Sequence, residues 1–129
     1  MKKYFPILLV AAFFVTLFTV TSCSKKTDNP NYSELIVGRW KTADGGHFEV
    51  YEANGNGHMW DPADDVDESE ADTFTWEIDS NNKLTQQIQF QGQQGVIPQY
   101  CNILILNETT FKYNNNGWRA EYTLTKVNQ

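Results

Sequence analysis

The chain has 129 residues, enough for one domain built on one core. It carries 16 acidic against 10 basic side chains, a formal charge of −6. Such a surface repels phosphate backbones and anionic lipid, which excludes nucleic-acid binding and leaves a cation or a basic protein as charge-complementary partners.

In chain order, Met1-Lys2-Lys3 is a positive start, followed at 7–20 by ILLVAAFFVTLFTV, which holds no charge. A membrane-spanning helix needs about 20 apolar residues, so this run is short for one and has the length of a secretory signal core. Small residues Thr21 and Ser22 then lead into Cys23. Val20-Thr21-Ser22-Cys23 resembles the lipobox of bacterial lipoproteins. The resemblance implies a signal peptide over 1–22, cleavage before Cys23, lipidation of Cys23 with fatty acids such as palmitate, and a membrane anchor in the cell envelope. The expected location is the outer membrane, on its periplasmic face, because Ser24-Lys25-Lys26 lacks an acidic export signal. An ordinary signal peptide with an incidental cysteine and an uncleaved anchor are the alternatives. Loss of Lys2 and Lys3 with the signal leaves 8 basic against 16 acidic residues, a charge of −8. The stretch SKKTDNPNYS completes a flexible tether over 23–33, and the domain is expected over 34–129. The second cysteine, Cys101, lies in an apolar strand pattern and reads as a small buried hydrophobe.

From residue 34 onward apolar residues alternate with polar ones, with turn residues between the runs, and no 3.6-residue period appears. Eight strands are predicted, over 36–42, 47–52, 58–61, 73–79, 83–91, 99–106, 110–114 and 118–127. Asn54-Gly55-Asn56-Gly57 is a hairpin signal, since Asn and Gly tolerate positive φ. The alternation puts Phe48 and Val50 on one face of the second strand, Phe74, Trp76 and Ile78 on one face of the fourth, and Leu84, Ile88 and Phe90 on one face of the fifth. Phe111, Tyr122 and Leu124 continue that set, which is bulky enough to fill a small barrel.

Eight short strands joined in sequence predict an all-β fold, an eight-stranded antiparallel up-and-down barrel that leaves no exposed sheet edge. A two-sheet sandwich is the alternative. In such a barrel alternate loops share an end. The long connections 62–72 and 92–98 fall at one end, and the short ones 54–57, 79–82 and 107–109 at the other. Long loops at one end mark a mouth, which points away from the tether. His47, Trp60, Asp61, Tyr100, Tyr113, Trp118 and Arg119 are the residues expected there, a set of aromatic and polar groups suited to a small apolar or sugar ligand.

Gly38-Arg39-Trp40 is a Gly-x-Trp at the start of this domain. With the lipobox, the Phe-Thr-Trp-Glu-Ile strand at 74–78 and the closing Tyr-Thr-Leu-Thr-Lys at 122–126, the domain resembles the small lipocalin-like (calycin-like) lipoproteins of bacteria. The resemblance implies that Trp40 plugs the closed end of the barrel and that Lys126 packs over it, so Gly38, Trp40 and Lys126 are expected to be structural. It also implies binding of a small apolar or amphipathic ligand. The second reading is a filled barrel that engages a protein or glycan, for example as an inhibitor of a basic enzyme.

The run DPADDVDESEAD at 61–72 holds seven carboxylates in twelve residues. It reads as a solvated, mobile loop; calcium capture and a docking patch for a basic protein are its alternatives. His47 and His58 sit on different strands with no zinc-ligand spacing, so no metal site is expected. No nucleophile elbow or phosphate loop is present, no cofactor is implied, and the chain is not expected to be an enzyme.

Overall fold

Eight antiparallel strands close on themselves in the computed structural model, which describes residues 30–117 and 120–128. They are β1 (Gly38–Lys41), β2 (Phe48–Tyr51), β3 (Asn56–Trp60), β4 (Asp72–Ile78), β5 (Lys83–Gln89), β6 (Ile97–Leu106), β7 (Thr110–Asn115) and β8 (Glu121–Lys126). Each strand pairs with the next in sequence, and β8 returns to β1 through Trp40↔Lys126 and Lys41↔Thr125. The fold is therefore the up-and-down barrel and not the sandwich. Each of the eight predicted segments overlaps one of these strands, with β3 and β6 each starting two residues earlier than expected.

One element was not expected. A single helical turn, α1 (Tyr32–Leu35), precedes β1 and begins inside the stretch read as tether. Its amides at Glu34 and Leu35 both donate to the Asn31 carbonyl. Tyr32 and Leu35 pack on the core, and Ile36 ends the turn fully buried instead of starting the first strand. Apolar residues three and four apart share one face of a helical turn, so a short helix turns all three toward the core where a strand would not.

Period 2 sorts the walls. On β5 Leu84, Gln86 and Ile88 are buried inside, while Thr85, Gln87 and Gln89 face out. The outer face of this strand is polar, whereas a membrane-spanning barrel turns apolar residues outward. Trp40, Tyr51, Leu84, Phe111 and Leu124 fill the base. The Phe111 ring meets Trp40 edge-on at 5.6 Å and Tyr51 at 5.8 Å, the arrangement aromatic quadrupoles favour.

Strand β2 corrects the expected inward set. Glu49 and Tyr51 point inside, at 0% and 1% exposure, and Phe48 and Val50 face out. Phe48 has its own cover there: it stacks on Trp60 at 4.8 Å, and the Arg39 guanidinium lies 5.2 Å over the same indole. The Gly57 position is also corrected. The hairpin turns at Gly55, with φ +87°, and Gly57 belongs to β3. A Cβ at Gly57 would stand 2.3 Å from the Phe74 ring and 2.5 Å from the Val50 carbonyl, so this glycine is required by packing and not by the turn.

Candidate functional site

At the long-loop end the starts of β2 and β6 and the ends of β3, β5 and β7 surround a cavity of about 440 Å³. Its walls are apolar: Met59, Ile88, Phe90, Ile97, Pro98 and Tyr122. Gln99 and Asn115 add polar lining, and the charged groups belong to one network. Glu49, wholly buried, accepts from His47 Nε2 at 2.9 Å on one oxygen and from the Tyr51 hydroxyl at 2.6 Å on the other. The Tyr113 hydroxyl also donates to Glu49. His47 Nδ1 lies 2.6 Å from the Asp61 carboxylate, and Gln86 Nε2 donates to the Tyr51 oxygen at 2.8 Å.

A buried carboxylate is tolerated only where donors surround it. Three donors do so here, and the charge sets their protonation. Burial alone lowers the His47 pKa, but hydrogen bonds and charge from Glu49, and then from Asp61, outweigh it and raise the imidazole to about 9. His47 is thus an imidazolium at neutral pH, with both N–H groups committed. Burial first, and the Glu49 charge second, hold the Tyr51 and Tyr113 hydroxyls well above the usual phenol range, so both stay protonated as donors. Burial likewise pushes the Cys101 thiol up to about 12, which makes it a poor nucleophile.

The orientation of Gln86 follows from the same chain. The Tyr51 proton goes to Glu49, so the Tyr51 oxygen needs a donor, and the Gln86 amide nitrogen must face it. That leaves Gln86 Oε1 buried with no hydrogen-bond partner.

Of the residues expected at the mouth, His47, Asp61 and Tyr113 converge on this cavity. Tyr100 is at its rim, 58% exposed, and pairs with outward-facing Thr85. Trp60 is not at the mouth. It is 6% exposed on the outer wall, between Phe48, His58 and Arg39, because β3 turns Gly57 and Met59 inward and alternation sends Trp60 out. Cys23, Trp118 and Arg119 lie outside the described residues. Glu49, Tyr51 and Gln86 were not anticipated. Gln86 had a legible signal: an inward face running through Leu84 and Ile88 passes through residue 86.

The opposite end is closed. Lys126 Nζ sits 5.0 Å from the Trp40 ring centroid and donates to the Leu35 carbonyl at 3.1 Å, while Trp40 Nε1 donates to the Ile36 carbonyl at 2.7 Å. Gly38, at φ +136°, makes the space: a Cβ there would meet Lys126 Cε at 2.7 Å.

The acidic stretch is mostly exposed and forms two 3-10 turns, Pro62–Asp64 and Glu68–Glu70, the second closed by a capping box between Asp67 and Glu70. Glu68 binds Arg39 with both oxygens, at 2.7 and 3.0 Å, and His58 at 3.0 Å. Asp72 accepts the Gln91 amide. These carboxylates are turned on the protein itself, and among the described residues no group of His, Cys, Asp or Glu is placed to hold a metal ion. A larger groove of about 570 Å³ crosses the outer faces of β3 to β5, but mostly polar residues line it.

Fold and site together define a small closed barrel with a filled base and a half-polar cup at its long-loop end. No protein-family model matches the chain, and neither a curated protein nor a solved structure matches it.

Proposed function

We propose that this chain is a lipid-anchored, lipocalin-like binding protein that holds a small apolar or amphipathic molecule in the cup. The cavity above the filled base carries the reading. About 440 Å³ is within the range of small-molecule sites, and the apolar walls with a few fixed polar groups are their usual lining. The closed eight-stranded barrel and the Gly38–Trp40–Lys126 plug support the lipocalin-like assignment. The lipobox-like Val20-Thr21-Ser22-Cys23 supports an anchor at Cys23 in the outer membrane, with the cup facing away from the bilayer.

Solvent extraction of the purified protein, with mass spectrometry of what is released, tests this against Met59→Trp, which fills the cup. A small molecule recovered from wild type and lost from Met59→Trp is the expected result. Bare protein in both, with no uptake of an added apolar fluorophore, overturns it.

A second reading is an interaction module. Val96, Ile97, Tyr100, Leu104 and Ile105 expose apolar surface on β6 and just before it, which suits a protein or glycan partner. Capture of one partner that is lost on Tyr100→Ser and Leu104→Ser, but kept in Met59→Trp, would favour it.

A further inference from the structure

The chemistry of the cup floor narrows the ligand class, an inference that rests on the cup being a ligand site. Among the described residues, Gln86 Oε1 is the one fully buried side-chain nitrogen or oxygen without a hydrogen-bond partner. Such a carbonyl is costly to leave unmade, and it borders a cavity. The neighbouring donors do not compete for incoming groups. Tyr51 and Tyr113 give their protons to Glu49, and both His47 N–H groups go to Glu49 and Asp61. Around Gln86 the floor therefore offers an acceptor, and the donors of this network are already committed.

Charge points the same way. Glu49 and Asp61 are the carboxylates bordering the cup and His47 is the cation, which leaves one negative charge in excess among the described lining residues. Asp61 is the part of that excess nearest to solvent, with its side chain 48% exposed. An anionic head entering the cup would meet this charge and find the donors of His47, Tyr51 and Tyr113 already committed.

The geometry points to a ligand with an apolar body and a hydrogen-bond-donating head, a primary ammonium above all. The body lies against Met59, Ile88, Phe90 and Ile97. The head donates to Gln86 Oε1 and offsets the excess carboxylate charge. Because Gln86 Oε1 is closed from solvent in the free protein, the head has to wedge into the floor to reach it, and a compact ammonium does so more readily than a branched cation.

Three probes with one body and different heads test the assignment: 4-phenylbutylammonium, 4-phenylbutanol and 4-phenylbutyrate, titrated calorimetrically into the purified full chain. The ammonium is expected to bind at least about tenfold tighter than the carboxylate, with the alcohol between them, as one added hydrogen bond to a charged donor provides. Gln86→Leu should remove most of the advantage of both donor heads and leave the carboxylate unchanged. Asp61→Asn, at the rim, should weaken the ammonium alone, and it remains informative if Gln86→Leu fails to fold. Equal affinity for all three probes, or tightest binding of the carboxylate, overturns the head assignment while leaving the cup as an apolar site. No binding of any probe overturns the cup reading itself.

Discussion

His47, immediately before β2, and Glu49, two residues on within it, form an ion pair at 2.9 Å whose anion has no exposure to solvent. The pair is the hinge of the whole interior network, since Tyr51 and Tyr113 donate to the same carboxylate. Removing one partner of such a pair leaves a buried charge uncompensated. His47→Ala should therefore cost about 3 kcal/mol in urea unfolding. Loss of under ~0.5 kcal/mol would show that the tyrosines alone neutralise Glu49.

The same pair sets a pH window. The folded-state pKa of His47 is raised from 6.5 to about 9, so its stabilisation is fully present below pH 6.5 and is lost as pH rises through 9. Integrated between pH 6 and 8.5, that shift is worth roughly 2 kcal/mol. Glu49 and Asp61 are the carboxylates facing the ring, and the Tyr122 ring lies tilted beside it at 5.9 Å. The raised Cys101, Tyr51 and Tyr113 groups remove stability only above their ordinary values of 9 and 10, so they leave this window largely clear. Unfolding midpoints at pH 6 and 8.5 should differ in wild type and coincide in His47→Gln. A flat profile in wild type would contradict the raised pKa.

Gly38 and Lys126 make a second dependent pair at the closed end. The glycine takes φ +136° and lies where any Cβ would strike Lys126 Cε. Gly38→Ala should cost about 2 kcal/mol, from backbone strain and a displaced lysine. Lys126→Met, which removes the cation over Trp40 and the bond to Leu35 but keeps the stem, should cost about 1–2 kcal/mol. Because the displaced lysine is shared, the double variant should lose less than the sum. Strict additivity would show that Gly38 acts through its backbone alone.

Gly57 faces the Phe74 ring and the Val50 carbonyl, and the carbonyl belongs to backbone that cannot swing aside. Gly57→Ala should destabilise by about 3 kcal/mol, whereas Gly55→Ala, strained in φ but 3.6 Å from its nearest neighbour, should cost nearer 1 kcal/mol. Equal costs would return Gly57 to the role of a turn residue.

The strand order and closure were legible because alternation and turn residues act locally, and short connections leave an up-and-down path as the simplest one. Facing on β2 was not legible. Phe48-Glu49-Val50-Tyr51 is apolar at three positions, and its inward face depends on partners far along the chain, Tyr113 and Gln86 for the polar set and Trp60 for Phe48. A buried Glu contradicts hydrophobic patterning unless its donors are already known. The acidic stretch is solvated, as composition reads, but its anchoring was not legible for a related reason: Arg39, which binds Glu68, is 29 residues away. The end of the barrel that holds the cup followed from loop length and strand parity, whereas the chemistry of its floor depended on long-range contacts.

Met59 and Trp60 are neighbours in sequence on opposite sides of the wall, which makes them a test of register. Met59 borders the cup, while Trp60 lies outside against Phe48. Trp60→Ala should lower stability by about 3 kcal/mol, as loss of a buried aromatic does, yet leave 4-phenylbutylammonium affinity within twofold of wild type. Met59→Trp should do the reverse, abolishing probe binding with a smaller stability change, because the cup has room for the larger ring. A shift of β3 by one residue would exchange the two phenotypes, since every side chain would change faces. Loss of binding in Trp60→Ala at a temperature where the variant is folded would therefore overturn the register of β3 and the location of the cup together.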